Sequence, residues 1–231
     1  MKRPDASDPA SLRYRMRRAR FVWIERLLDQ ILAQKDTATI LDIGGRRGYW
    51  ALLAPKYRPY VHVTILNTAD ELARDGTTDI GITITTVVGD GTAMPQYAGG
   101  AFDLTHSNSV IEHVGLYQTM AAFAAETARV GQAYYLQTPN FWFPLEPHYG
   151  VPFYHWLPEP IRLWLNTRLN VGFARRCDMG AAIGRVDHTR MVSRRLIRHL
   201  FPDSTEDRER FAGLTKSLIV YRDYPGAAGL S

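Results

Sequence analysis

The chain has 231 residues, 45% of them hydrophobic, with 28 Lys and Arg against 23 Asp and Glu and a formal net charge of +5. That content can bury one sizeable α/β domain with an insertion, and no apolar run approaches the roughly 20 residues that span a bilayer. The polar N-terminus lacks the apolar block of a signal peptide, which predicts a cytoplasmic protein, and the lone Cys177 excludes an internal disulfide framework and a cysteine-based metal cage.

In chain order, residues 1–10 contain Pro4 and Pro9 and read as a loose lead-in, after which Ser11 suits a helix N-cap. Phe21, Ile24, Leu28, Ile31 and Leu32 then recur at three- and four-residue spacing, predicting an amphipathic helix to about Gln34. Residues 1–26 hold eight Lys and Arg against Asp5, Asp8 and Glu25, and eight minus three is the whole net charge. The remainder is balanced, which is not the make-up of a domain that grips nucleic acid, so no nucleic-acid partner is expected. The basic stretch, with Arg13, Arg15, Arg17, Arg18 and Arg20, fits a solvated helix face or contact with an anionic substrate or surface.

Thr39 to Trp50, T-I-L-D-I-G-G-R-R-G-Y-W, reads as a buried strand that breaks into a glycine turn. Ile40, Leu41 and Ile43 suit a strand covered on both faces, and Gly44, Gly45 and Gly48 let the backbone turn and approach a ligand closely. Asp42 at the strand end is placed to orient that turn, and a helix is expected over about Arg47–Leu53. A second strand over Tyr60–Leu66 ends at Asn67, where a nucleoside-binding fold positions a side chain on the ribose hydroxyls. A short helix around Ala69–Arg74 and a third strand over Ile82–Val88 follow, and the latter ends in Gly89-Asp90-Gly91. Phe102–Asn108 is the fourth strand, Val110–Val114 leads into a helix to about Arg129, and Tyr134–Thr138 is the fifth. These alternations predict a parallel doubly wound sheet.

The pattern then breaks. Phe141–Leu165 carries eight aromatic residues and five prolines, too many prolines for a long helix before Pro160 and too many aromatics for a solvated linker. It reads as a packed lid over the strand ends, continued by a helix from Ile161 and a polar segment to about Arg185. Asn140, Trp142, His155 and Trp156 are its candidate acceptor contacts. Met191–Leu200 predicts a helix, Thr205–Phe211 and Lys216–Arg222 an antiparallel pair joined through Ala212-Gly213, and Pro225–Ser231 a frayed end.

Taken together, L-D-I-G-G-R-R-G, G-D-G and F-D-L-T-H-S-N-S-V-I-E-H-V, in this order, resemble the class I S-adenosylmethionine-dependent methyltransferases over roughly residues 38–222. The last segment is similar to the fourth-strand signature of the group that includes the ubiquinone-biosynthesis O-methyltransferases. The resemblance implies a three-layer Rossmann-like sheet of about seven strands, mostly parallel with an antiparallel last strand, plus an N-terminal helix over 1–35 and a lid insertion over 141–185. It also implies S-adenosyl-L-methionine as cofactor and S-adenosyl-L-homocysteine as product. Asp42, Gly44, Gly45 and Gly48 would hold the methionine end, Asn67 the ribose, Asp90 and Gly91 the adenine, and Ser107 the sulfonium side. Arg46 stands where a middle glycine is common in that family, and Asn67 where an acid is usual.

Methyl transfer from a sulfonium is an in-line displacement that needs a base only if the acceptor must first lose a proton. Glu146, His148 and His113 are the candidates: Glu146 two residues from His148 could orient it, while His113 also fits a capping role and His155 a packed one. V-I-E-H also resembles the metal motif of small-RNA 2′-O-methyltransferases, with Glu112, His113 and a lid histidine as ligands. Ser109 stands where that family has a further glutamate, so a Mg²⁺ site is not expected. The expected function is O-methylation of a small-molecule, glycan or lipid-linked acceptor, with peripheral contact to the inner membrane face as a further expectation. A non-catalytic cofactor-binding subunit is the alternative from another class. A nicotinamide oxidoreductase fits less well, because G-G-R-R-G lacks the G-x-G-x-x-G spacing.

Overall fold

The structure is a computed structural model that describes residues 10–227, so the lead-in and the last residues of the chain lie outside the described residues. A seven-stranded sheet runs in the order β3-β2-β1-β4-β5-β9-β8. Its strands are β1 (Ala38–Ile43), β2 (Val61–Asn67), β3 (Thr83–Val88), β4 (Phe102–Asn108), β5 (Gly131–Pro139), β8 (Thr205–Phe211) and β9 (Leu214–Arg222). The pairs from β3 through β5 are parallel, while β9 runs antiparallel to both β5 and β8. This is the expected sheet with its reversed last strand, inserted between β5 and the edge. The reversal is made by a two-residue hairpin in which Ala212 and Gly213 both hold positive φ, the requirement of a type I′ turn. The outermost strand β8 carries charged residues from Glu206 to Arg210 and a register shift at Glu209/Arg210, which discourage further strand pairing.

Helix α1 (Leu12–Leu32) is capped by Ser11, whose Oγ accepts from the Tyr14 N–H at 3.1 Å. Phe21, Ile24, Leu27, Leu28 and Ile31 lie on one face, fully buried in the same apolar cluster as Ile40, Val63 and Leu104 of the sheet. Burying five such side chains contributes on the order of 10 kcal/mol, so the basic helix is a structural layer of the fold. It is also stitched to the end of the chain: Trp23 donates to Asp207, Gln30 to Asp223, and Arg20 forms two bonds to Glu209 at 2.9 and 3.0 Å. The opposite face is covered by α4 (Tyr117–Val130) and α7 (Arg194–Leu200), through Met120, Phe123 and Ile197.

Three local expectations change. The helix after the glycine turn, α2, spans only Arg47–Trp50; Pro55 and Pro59 then favour a 3₁₀ turn over Pro55–Tyr60. The helix expected to lead on from Val110–Val114 is split into a 3₁₀ turn at Ile111–His113 and α4, because Gly115 takes φ +109° between them. The polar segment before Arg185 contains a helix, α6 (Met179–Asp187), nucleated by Asp178, which accepts from the Ala181 N–H at 2.9 Å. A helix α3 (Ala69–Ala73) lies close to its expected place. The lid itself comprises a small hairpin of β6 (Leu145–Glu146) and β7 (Val151–Pro152), a 3₁₀ turn at Tyr154–Trp156, and α5 (Glu159–Arg168) packed on α6.

Candidate functional site

The glycine turn is shaped from beneath. Gly44 holds φ +72°, its N–H donates to the Leu66 carbonyl at 2.7 Å, and a Cβ there would stand 2.7 Å from Val110. A Cβ on Gly45 would come within 1.7 Å of Asp42 Oδ2, so only glycine fits over this carboxylate. Asp42 is fully buried, with Oδ2 accepting from Trp50 Nε1–H at 2.7 Å and Oδ1 paired with His106 Nδ1 at 2.6 Å. The His106 ring is stacked on Tyr135 at 5.4 Å between centroids and 2° between planes. Asp42 therefore supports the turn through side chains, where the sequence suggested a direct hold on the ligand. His106 was missed, although its alternation in F-D-L-T-H-S-N was legible.

The neighbouring strand ends complete the rim. Asn67 donates from Nδ2 to the Gly45 carbonyl at 3.0 Å and accepts from the Thr68 N–H at 2.8 Å, tying β2 to the turn. Its amide oxygen retains a second lone pair for a hydroxyl. Arg46, in the place of the middle glycine, pairs with Glu71 of α3. Asp90 is exposed, and its Oδ1 accepts from the Thr92 N–H and hydroxyl, each at 2.8 Å, in an Asx turn. A Cβ on Gly91 would lie 2.5 Å from Ile43, so this turn too is packed closely on β1. Ser107 is fully buried in β4 with no hydrogen-bond partner for its Oγ among the described residues. Gly48 opens onto free space at the start of α2. A rim with an open glycine and an exposed carboxylate, backed by the buried, unpartnered Ser107 hydroxyl, fits a nucleoside carrying a short polar chain, which is the shape of S-adenosyl-L-methionine.

On the lid side the three candidate catalytic residues meet. His148 Nδ1 lies 2.5 Å from Glu146 Oε1, and Glu146 Oε2 accepts from the Tyr149 N–H at 2.6 Å. His148 Nε2 lies 3.0 Å from His113 Nε2, and His113 Nδ1 is 2.7 Å from the His188 carbonyl. A carbonyl and a carboxylate only accept, so both Nδ1 atoms donate, and the Nε2–Nε2 contact is a hydrogen bond when one of the two Nε2 atoms also carries a proton. Burial, the largest influence on it, lowers the His113 pKa. Glu112 is buried beside them, with Oε2 accepting from the Thr138 hydroxyl at 3.0 Å and Oε1 without a partner among the described residues. Burial pushes its carboxyl up to about 7. Glu112, His113 and His148 offer one ligand atom each within 4.8 Å of one another, so they are the described residues that could hold a cation.

Two cavities flank this lid segment. His113, His148, Arg185 and His188 line one of about 540 Å³. The other, of about 380 Å³, lies at the carboxyl ends of β4 and β5, with Asn108, Ser109 and Asn140 in its wall, Pro147 and Gly150 from the lid, and the start of α1. Asn140 is thus placed as a lining residue, whereas His155, Trp142 and Trp156 line neither cavity. His155 Nε2 and Trp156 Nε1 both bond the Phe141 carbonyl, at 2.7 and 2.8 Å, and Trp142 is 67% exposed. The sequence also did not single out Arg20 as a site residue: buried beside the second cavity, it donates to Asn108 and Gln137 at 2.9 Å each as well as to Glu209. Its signal was positional, because Arg20 falls in step with Ile24, Leu27 and Ile31 on the buried face of α1.

Residues 41–133 match the family model described as a methyltransferase domain. An uncharacterized protein of Mycobacterium tuberculosis is 35% identical over 51 residues, which is 22% of this chain and 17% of that protein. Among solved structures, an O-methyltransferase family protein from Burkholderia thailandensis superposes with a TM-score of 0.53 at 14% identity, covering 91% of this chain and 58% of the other. The CurJ carbon methyltransferase gives 0.59 at 12% identity, covering 94% and 56%, and PH0226 from Pyrococcus horikoshii OT3 gives 0.55 at 15%, covering 94% and 93%. The chain therefore spans little more than half of the first two structures and a sixth of the curated relative, and the structural likenesses speak to fold. The matched segment contains the glycine turn and the fourth strand: residues 41–133 match a methyltransferase domain, and the solved structures share the Rossmann-like fold of the chain, which supports S-adenosyl-L-methionine as its cofactor.

Proposed function

We propose that this protein methylates a hydroxyl group of a small-molecule, glycan or lipid-linked acceptor. The observation that carries the choice of oxygen is the chain from Glu146 through His148 to His113. A hydroxyl, unlike a neutral amine, must lose a proton to become a good nucleophile, and a pair of imidazoles joined through Nε2, with a carboxylate behind one of them, can take that proton. Glu146 fixes the His148 tautomer and stabilises the imidazolium as it forms, the His188 carbonyl does the same for His113, and the 540 Å³ cavity is where the acceptor hydroxyl would enter. S-adenosyl-L-methionine, when bound, supplies a methyl group on a sulfonium whose departure as a thioether needs no acid. On the cofactor side Gly44, Gly45 and Gly48 would admit the ligand backbone-close, Asn67 and Asp90 would hold its hydroxyls and base, and Ser107 would support the methionine end from within β4.

Glu146→Gln and His148→Ala are expected to lower kcat about 10²- to 10⁴-fold while leaving S-adenosyl-L-homocysteine binding, measured by titration calorimetry, unchanged. The loss should shrink at alkaline pH, where hydroxide replaces the missing base. Full turnover in both variants would sink the assignment of oxygen and of base. Cofactor binding with no turnover across hydroxyl, amine and carbon acceptors would favour the non-catalytic reading instead.

A further inference from the structure

Helix α5 is amphipathic the wrong way round. Over Glu159–Arg168 its buried residue is Asn166, whose Nδ2 donates to the Tyr154 hydroxyl at 2.5 Å and to the Arg162 carbonyl at 2.9 Å. Leu165 packs inward on Tyr149, Tyr154 and Val171, but two large apolar side chains point outward: Ile161 is 45% and Trp164 56% exposed, three residues apart on one helical face. The packed neighbour α6 adds Met179 and Ile183, four residues apart and both exposed. Just upstream, Trp156 packs against Trp142 and Phe153 at 6.3 and 5.1 Å between centroids, and Trp142 and Phe153 are more than half exposed. Phe153 keeps its ring there at φ +60°, a conformation costly for a bulky residue. Apolar groups gathered in this way mark an interaction surface.

Its charge indicates the partner. Beyond residue 26 the chain balances 20 basic against 20 acidic residues, yet residues 158–190 alone hold six arginines against Glu159, Asp178 and Asp187. Asp178 is committed to capping α6, whereas Arg168, Arg175 and Arg176 are exposed. The basic α1 starts beside the lid hairpin, since Ser11 and Leu12 share a cavity wall with Leu145 and Pro147. Tryptophan at a polar–apolar boundary and arginine, with its fork of donors, are the residues that suit phosphate headgroups over acyl chains.

We propose that the outward face of α5 and α6 docks on an anionic phospholipid bilayer, with Ile161, Trp164, Met179 and Ile183 entering the headgroup boundary and the arginines meeting lipid phosphates. No described helix is long and apolar enough to cross a membrane, so the contact is peripheral. This reading stands independently of the methyl-transfer assignment.

The test is flotation of the full chain with vesicles of phosphatidylcholine alone or with about 30% phosphatidylglycerol, a content chosen to give a strongly negative surface. The protein should float with the anionic vesicles at low salt and about tenfold less with the neutral ones or at high salt. The double variant Ile161→Ser, Trp164→Ser should lose about tenfold or more of the bound fraction, with melting temperature and S-adenosyl-L-homocysteine binding unchanged. Trp164→Phe should retain binding, and Arg168→Gln with Arg175→Gln and Arg176→Gln should erase the preference for anionic lipid. The proposal is overturned if the protein stays at the bottom with anionic vesicles at low salt, or if the serine variant floats equally. It is overturned too if the serine variant instead abolishes a concentration-dependent dimer seen by size-exclusion chromatography, which would make the face a contact between copies.

Discussion

The cofactor rim and the lid are built on opposite principles. At the rim, backbone does the presenting, and every support lies underneath: Asp42 bridges His106 and Trp50, and Gly45 sits on the carboxylate with no room for a methyl group. In the lid, side chains do the presenting, from a frame of two-residue strands and short helices, with Ile161 and Trp164 left outside. The difference teaches that one half of the molecule is specified by what cannot change, and the other by what a partner would touch. Mutations in the rim should cost stability and binding together, whereas mutations in the lid should cost activity or location alone.

The largest contrast is expected from Asp42→Ala, which strands the buried His106 and Trp50 donors. Breaking such a pair costs about 3–5 kcal/mol, so chemical denaturation should show a marked loss and calorimetry no product binding. Unchanged affinity would mean that the turn needs no support. Gly45→Ala should abolish binding by the same route. Arg20→Met comes next: Glu209, Asn108 and Gln137 lose their shared donor, at about 1–3 kcal/mol, with Lys216 still paired to Glu209 at 3.3 Å.

Acid should act on the same side of the comparison. Burial works to raise the Glu209 and Glu206 carboxyls, but Arg20 beside the first and Arg194 with Arg198 beside the second hold both below the usual range. A folded pKa below the unfolded one gives stability that is present above the unfolded value and lost as pH falls through the folded one. Melting temperature should therefore decline from about pH 4 downward, and less steeply in Glu206→Gln. In the lid, His148→Ala should change kcat with little shift in melting, and Trp164→Ser should stay within about 0.5 kcal/mol of the parent. Removal of metal by chelation, followed by elemental analysis and assay, asks whether the Glu112, His113 and His148 cluster works as a proton relay or around a cation. Unchanged activity keeps the relay.

The sheet was legible because its signals are local. Ile40, Leu41 and Ile43 form a run that only a doubly covered strand explains, and Phe102–Asn108 is the strand expected to the residue. The helix over 179–187 was obscured by its small residues and revealed only by the Asp178 cap. The role of Asp42 was half legible: its position at the strand end was clear, but that its oxygens face Trp50 and His106 depends on residues 8 and 64 positions away. The meeting of His148 with His113, 35 positions apart, and the outward turn of Trp164 are likewise decided by tertiary packing, to which periodicity is blind.

The stitching of α1 to the far end of the chain has a bearing on biosynthesis. Trp23, Arg20 and Gln30 find their hydrogen-bond partners 184 to 193 positions later, and β9, central to the sheet's second half, spans 214–222. While the nascent chain is being made, the buried arginine of the first helix lacks the carboxylate of Glu209 that pairs with it. The second half of the sheet cannot close until Leu214–Arg222 has left the ribosome. Such long-range pairing predicts slow folding, and a first helix that stays accessible to chaperones until β9 has emerged.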